Sequence, residues 1–369
     1  MKIAFIISDY NFHGGAQKTA NLAKQFELLG HNVTIIVIRC RKGDLETRPS
    51  HFSNILDLNA KSLFLGTFNL RKIFLHSEYD TFICIGGYAN LVAGLAKLIS
   101  RSSTFLIGSE NFSKSVFIGD YPKWYLRLFL PGFRLIYRQL NGLMFVSEKL
   151  RLKFLEKNSW HPSRCIAIFN PVKSFKKRFK ENLKNKDSGF IFLGAGVLEP
   201  RKRFDLLLKS FSIVSSANDK LLIAGNGSLK FDLETLAKEL GIDSQVIFLG
   251  FVEDINLLMN SCDILVLTSD SEAFGMVLAE GLAAGLQVVS TNSFSGPAEV
   301  LGNGRYGFLA EVDNLSSIAS SMRAAIETPI HSDIIYEGAS RFSSDTIVNQ
   351  YLNFISSVKK SKGNLNDPI

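Results

Sequence analysis

The chain holds 369 residues, enough for two domains at roughly 100 to 200 residues each, and each large enough to bury its own core. With 46% apolar and 21% charged residues and no low-complexity tract, it is neither disordered, collagen-like nor a disulfide scaffold. The formal charge of +8 is divided unevenly: residues 1–185 carry 28 Lys/Arg against 12 Asp/Glu, net +16, and the remainder 14 against 22, net −8, so the two halves face different partners.

No apolar run reaches the roughly 18 residues that a bilayer crossing needs, and the apolar start from Met1 to Asp9 is too short for a signal-peptide core. It reads as a first strand and a cytosolic start. Short β-branched runs then alternate with stretches of helical period, which argues for parallel sheets with crossover helices. Strands are predicted at 2–8, 32–38, 80–85, 103–108 and 143–146, with helices near 15–29, 89–99, 122–140 and 147–157. The linker falls near Asn170-Pro171-Val172, followed by a Lys-rich stretch, 173–186, without apolar periodicity. A second series follows, with strands at 190–195, 220–224, 246–250, 263–267 and 287–290. The expected architecture is α/β: two Rossmann-like doubly wound domains, 1–172 and 173–344, facing across a cleft, with a helix at 345–362 returning to the first. Ligands are expected in that cleft, where strand C-termini and helix N-termini converge.

Cys40, Cys84, Cys165 and Cys262 show no CxxC spacing and read as buried free thiols, and the six histidines form no ligand pair. After the first strand, Gly14-Gly15 opens a helix. It reads either as a phosphate-binding turn at a helix N-terminus or as a plain strand-to-helix turn. Gly194 to Asp205 joins another strand end to a helix and sets Arg201, Lys202 and Arg203 at its entry. Cations there oppose the helix dipole, an arrangement that makes sense if an anion such as a diphosphate lies between them and the amides; the alternative is a solvated basic turn. The segment from Ser269 to Gly281 follows the apolar strand 264–267 and carries Glu272 at a helix mouth and Glu280 eight residues on. That spacing is a little over two helical turns, too far apart for a carboxylate dyad on one bond, and suits two separate hydroxyl-binding groups, or a cap plus a solvated residue. Ser295-Gly296-Pro297-Ala298-Glu299 is a further glycine-containing turn in the same half.

Residues 121–180 hold 14 Lys/Arg, two Glu and no Asp, interleaved with aromatics. Within them Lys123, Trp124, Arg127, Arg134 and Arg138 suit an anionic membrane face, with a core helix bearing a solvated cationic side as the alternative; Pro131-Gly132 breaks or kinks that helix. Basic groups among aromatics also suit a nucleic acid, which would give steeply salt-dependent binding; the acidic second half and the sugar-site pattern argue against it, and no nucleic-acid partner is expected.

Several segments together resemble the family 4 retaining glycosyltransferases, which have the two-domain GT-B fold. They are Gly14-Gly15-Ala16-Gln17, Val146-Ser147, Asn170-Pro171, Pro200-Arg201-Lys202, Ala224-Gly225-Asn226-Gly227, Leu249-Gly250-Phe251, Glu272 to Glu280 and Gly296-Pro297-Ala298-Glu299. The resemblance is strong from about 190 to 310 and thin between 40 and 140. It implies a nucleotide-sugar site in the second half, with Glu280 on the ribose, Lys202 and Arg201 near the diphosphate, and Glu272 with the Phe274 and Gly275 amides on the sugar and phosphate. Gly14 and Gly15 would close on the phosphates. No metal cofactor is expected, because lysine and helix N-termini neutralise the leaving diphosphate and no Asp-x-Asp motif is present.

Two departures stand out. Val197 occupies the position where the family usually has Arg, with Arg201 or Arg203 as possible substitutes, and Ser109-Glu110-Asn111 stands where many members carry His. Glu110 then reads as the group that orients or deprotonates the acceptor hydroxyl, or as a polar loop cap, with Asn111 beside it and His13 a lesser candidate. The implied activity is retaining transfer of a hexose or N-acetylhexosamine from a UDP-sugar to a lipid-linked or lipopolysaccharide-type acceptor by a cytoplasmic enzyme on the inner face of the plasma membrane. The alternative is an inactive GT-B partner in a glycan assembly complex.

Overall fold

A computed structural model describes residues 1–9, 15–39, 54–76, 78–111, 131–172 and 189–363. The chain divides into two compact units: Met1–Pro171 together with the segment from Ser344, and Val172–Ser343.

The first unit runs β1 (Lys2–Asp9), α1 (Gly15–Leu28), β2 (Asn32–Arg39), β3 (Ile55–Asp57), α2 (Leu63–His76), β4 (Thr81–Ile85), α3 (Gly87–Ser100), β5 (Leu106–Glu110), β6 (Gly142–Phe145), α4 (Glu148–Lys157) and β7 (Cys165–Ala167). Its seven strands are parallel in the order β3-β2-β1-β4-β5-β6-β7. Strands buried on both faces read as continuous apolar runs, and Ile3 to Ile7 and Ile35 to Ile38 are of this kind. Fully burying one such side chain contributes about 1.5–3 kcal/mol.

The second unit runs β8 (Ile191–Ala195), α5 (Phe204–Val214), β9 (Lys220–Ala224), α6 (Lys230–Glu239), β10 (Val246–Gly250), α7 (Ile255–Met259), β11 (Ile264–Leu267), β12 (Ser271–Glu272), α8 (Met276–Ala283), β13 (Gln287–Thr291), β14 (Phe294–Ser295), α9 (Gly296–Val300), β15 (Phe308–Ala310), α10 (Leu315–Glu327) and α11 (Ser332–Ser340). Six strands form a parallel sheet, β10-β9-β8-β11-β13-β15, and β12 pairs with β14 apart from it. In both units the first strand lies between the second and the fourth of its own series, the doubly wound order, and that reversal creates a crevice at the strand C-termini.

The last helix, α12 (Ser344–Gly363), belongs to the first unit. Its Ile347, Val348, Tyr351, Phe354, Ile355 and Val358 join Phe5, Phe26 and Ile107 in one buried cluster, with the Tyr351 ring edge-on to Phe26 at 6.1 Å. Gly142 admits this helix, since an added Cβ would lie 2.9 Å from Phe354 Cζ.

One sequence expectation needs correction here, and two elements lie outside it. The strand placed at 103–108 begins at Leu106 and runs through Glu110, because Ser102 and Thr104 bond each other at 2.6 Å in a polar turn before the ladder. Helix α2 and strand β3 are absent from the periodicity reading: α2 carries apolar side chains on two opposite sides and so shows no one-sided stripe. Its start is marked by Ser62, whose Oγ accepts from the Leu65 amide at 3.2 Å. Of the helix expected at 122–140, residues 131–137 are helical and 122–130 lie outside the described residues, as does Cys40. Cys84, Cys165 and Cys262 are buried free thiols.

Candidate functional site

The site is built where β8 and β11 separate, at the switch point of the second sheet. The chain leaves β8 through Gly196 and leaves β9 through Gly225. An added Cβ on Gly225 would lie 1.8 Å from the Gly196 carbonyl oxygen, so the two strand ends approach by bare backbone. The loop then makes a tight turn over Pro200–Lys202 and enters α5 through Arg203, which holds a left-handed φ of 51°. From the other side, Thr268, just after β11, donates its hydroxyl to the carbonyls of Lys202 (3.1 Å) and Arg203 (2.8 Å), and the Asp270 amide donates to the Arg201 carbonyl at 2.9 Å.

These bonds place Lys202 Nζ 2.6 Å from Glu272 Oε1, with the two side chains only 14% and 12% exposed. Arg201 donates to the Ser271 carbonyl at 2.8 Å, pairs with Glu199 at 2.8 Å and lies 3.7 Å from the same Glu272 oxygen. Arg203 is committed elsewhere. It meets Asp313 at 2.7 Å, Asp205 at 3.1 Å and Asp270 at 3.2 Å. Hydrogen bonding to Asp205, with Asp313 and Asp270 adding to it against the opposing effect of burial, raises its guanidinium pKa further. Of the two substitutes considered for the missing arginine at Val197, Arg203 is thus already neutralised, and Arg201 stands beside Glu272. Val197 itself is exposed.

Glu272 is not on a helix, which corrects the spacing argument. It lies in β12, where Ser271 pairs with Phe294 and Glu272 with Ser295. The turn that follows is fixed by backbone crossings: Ser295 Oγ donates to the Ala273 carbonyl at 2.8 Å, and an added Cβ on Gly296 would lie 2.2 Å from the Phe274 carbonyl oxygen. The Phe274 ring is buried edge-on to Phe342 at 5.7 Å, so it anchors the turn and leaves only backbone for a ligand. Gly275, at φ 81°, caps α8, and Glu280 is half-buried on that helix. A backbone at φ 81° is strained for any L side chain, which accounts for glycine at 275.

In the first unit Gly15 is the first residue of α1, while His13 and Gly14 lie outside the described residues. Glu110 ends β5 and is wholly buried. Asn90 of α3 donates to Glu110 Oε1 at 3.0 Å and to the Ser109 carbonyl at 2.8 Å, and the Tyr137 hydroxyl donates to the same Glu110 oxygen. Burial first, then the charge and hydrogen bond of Glu110, push the Tyr137 hydroxyl pKa well above 10. Asn90 is missing from the sequence reading, and Tyr137 enters it only as one of the aromatics of the basic segment 121–180, because neither sits in a motif; they meet Glu110 only through the fold. Asn111 is half-buried next to Glu110, and Arg134 and Arg138 are exposed; Lys123, Trp124 and Arg127 lie outside the described residues. Among the described residues, no group of three or more His, Cys, Asp or Glu side chains is placed to hold a metal ion, and no helix is long and apolar enough to cross a membrane.

Residues 174–342 match the family described as Glycosyl transferases group 1. The chain is 26% identical over 332 residues, 85% of its length and 87% of the relative's, to N-acetylgalactosamine-N,N'-diacetylbacillosaminyl-diphospho-undecaprenol 4-alpha-N-acetylgalactosaminyltransferase of Campylobacter jejuni. It is 28% identical over 173 residues, 46% of its length and 48% of the relative's, to the lipopolysaccharide 1,6-galactosyltransferase of Escherichia coli. Among solved structures, HepE of Anabaena, crystallised with UDP and glucose, superposes with a TM-score of 0.77 at 21% identity over 97% of this chain and 100% of that one. With the doubly wound units and these relatives together, the chain is a GT-B-fold glycosyltransferase related to the glycosyl transferases group 1 family.

Proposed function

We propose that the chain transfers a hexose or N-acetylhexosamine from a UDP-sugar to a hydroxyl of a lipid-linked or lipopolysaccharide-type glycan, with retention at the anomeric carbon. The observation that carries this reading is the Lys202–Glu272 pair, held at the switch point beside the N-terminus of α8. The named acceptors of the Campylobacter and Escherichia relatives support the acceptor class.

The bond from the anomeric carbon to the diphosphate oxygen breaks, and negative charge develops on the departing UDP. Lys202, with Arg201 beside it, stabilises that charge, and such preorganised groups act most strongly where the charge grows in the transition state. Glu272, with the Phe274 and Gly275 amides, holds the sugar and its phosphate. Glu280 accepts hydrogen bonds from the ribose, and Gly14 and Gly15 contribute backbone to the phosphates. The acceptor hydroxyl attacks from the face the UDP leaves, and its proton passes to the departing phosphate oxygen. Metal-independent transfer follows from this division of labour.

Glu110 and Asn111 position the acceptor, with Glu110 held in turn by Asn90 and Tyr137. Lys123, Trp124, Arg127, Arg134 and Arg138 rest the enzyme on the anionic inner face of the plasma membrane, each cation contributing on the order of 1 kcal/mol. The test is UDP release from a panel of UDP-sugars, with and without lipid-linked glycans, for wild type and Glu280→Ala. Acceptor-dependent release that the substitution abolishes is the expected result. Donor binding by calorimetry without release under any acceptor would favour the inactive-partner alternative, and absence of binding would remove the donor site.

A further inference from the structure

Helix α2 presents apolar side chains on two opposite sides. Thr67, Leu70 and Phe74 are buried inward with Gly66, which must be small because an added Cβ would lie 2.8 Å from Ile38 Cγ2. On the other side Phe64 is 69% exposed, Leu65 43%, Phe68 41% and Leu75 46%. At 100° per residue, positions 64, 65, 68, 72 and 75 fall within one outward arc of about 100°. The Phe64 and Phe68 rings lie one turn apart with centroids at 4.8 Å. Lys61, just before the helix, and Lys72 on the same arc are exposed, and no Asp or Glu occurs between Leu58 and Ser77.

A surface helix ordinarily turns a polar face to water. Here the outward face is aromatic and aliphatic with cations beside it, a composition that lies in the plane of a membrane interface. The charge settles the choice of occupant. A second copy seated on this face by two-fold symmetry would gather four lysines into one interface with no carboxylate of the helix to offset them, whereas lipid phosphates complement Lys61 and Lys72 and the net +16 of residues 1–185. We infer that the outer face of α2 docks on an anionic lipid surface, with Phe64, Leu65 and Phe68 entering the boundary between headgroups and acyl chains and Lys61 and Lys72 meeting the phosphates. This surface is separate in sequence from the basic segment proposed above and independent of the donor chemistry.

The experiment is co-sedimentation of the full chain with vesicles of mixed phosphatidylglycerol and phosphatidylcholine, and with phosphatidylcholine alone. Phe64→Ser/Phe68→Ser is expected to lower the partition coefficient onto the anionic vesicles about tenfold, and Lys61→Gln/Lys72→Gln to lower it and flatten its salt dependence, while UDP-sugar binding by calorimetry is unchanged. The lysine variant alters only exposed positions, so it tests the surface even where the phenylalanine variant fails to fold. Wild-type binding by the folded phenylalanine variant, or by the lysine variant, overturns the proposal. So does equal wild-type binding to both vesicle types. An Arg134→Gln/Arg138→Gln variant run in parallel separates the two surfaces: loss there with none in the α2 variants assigns the membrane contact to the basic segment and overturns the role of α2. Sedimentation analysis closes the remaining case, since a wild-type dimer that the phenylalanine substitutions dissociate, with no vesicle binding, would make the face an interface between copies.

Discussion

Lys202 Nζ and Glu272 Oε1 meet at 2.6 Å across two loops that are 70 residues apart in sequence and leave neighbouring strands of one sheet. Neither loop is held by its own residues alone: Thr268 secures the carbonyls of the first, and Ser295 secures the backbone just after Glu272. Replacing the lysine therefore removes a charge without displacing the backbone that carried it. Lys202→Met is expected to lower kcat on the order of 10²- to 10³-fold, the usual loss for one preorganised charge-stabilising group. Steady-state kinetics with a UDP-sugar, alongside calorimetric UDP binding, checks this, and an unchanged kcat would remove Lys202 from the site.

Arg203 offers a sharper separation of stability from positioning. Its left-handed backbone costs about 1–2 kcal/mol, and three aspartates hold the guanidinium from three different loops or turns. Arg203→Gly relieves the backbone while removing the charge network, and Arg203→Ala keeps the strain and removes the network. The glycine variant is expected to melt within a few degrees of wild type and the alanine variant lower than the glycine one by about 1 kcal/mol, with both losing roughly tenfold in kcat as the loop carrying Lys202 loosens. Full activity in the glycine variant would reduce Arg203 to a structural detail.

Alkaline pH should destabilise the first unit. Burial raises the pKa values of Cys84, Cys165 (to about 12), Tyr137 and Tyr351 above those of the unfolded chain. In each case the folded state keeps a proton that the unfolded state releases, so stability is full below the unfolded pKa and declines as pH rises past it. The thiols set the onset near pH 8.5 and the tyrosines add to it near pH 10, each with a limiting slope of about 1.4 kcal/mol per pH unit. Thermal melts from pH 7 to 11 should show the decline, and Tyr351→Phe should flatten its steeper part.

Gly225→Ala tests the close approach of β8 and β9. The added methyl would sit 1.8 Å from the Gly196 carbonyl oxygen at a residue with φ 147°, so neither rotation nor a side-chain shift relieves it. A loss of more than about 2 kcal/mol in denaturant unfolding is expected. A near-neutral effect would mean that these strand ends are not in backbone contact.

The alternation of strands and helices is legible in the sequence because parallel strands buried on both faces are short apolar runs, as Ile264 to Leu267 and Phe82 to Ile85 illustrate. The loops that carry Lys202 and Glu272 are legible for a similar reason, since glycines and charges cluster where strand ends open. What the residues do not reveal is long-range pairing. Glu272 reads as the mouth of a helix until β14 is seen to claim it as a strand. Arg203 reads as a spare cation until Asp270 and Asp313 arrive from other turns. Glu110 reads as a loop carboxylate, yet Asn90 and Tyr137 enclose it at the end of β5. Helix α2 escapes notice because apolar residues on two opposite sides blur the one-sided period of an ordinary surface helix.

The return of the final helix to the first unit has a consequence for biosynthesis. Tyr351, Phe354 and Ile355 complete a core whose other half, around Phe5 and Phe26, leaves the ribosome more than 300 residues earlier. The second unit is one uninterrupted stretch and becomes foldable as soon as Ser343 emerges. The half of the protein that is translated first is thus the last to mature, its sheet awaiting the chain's closing segment.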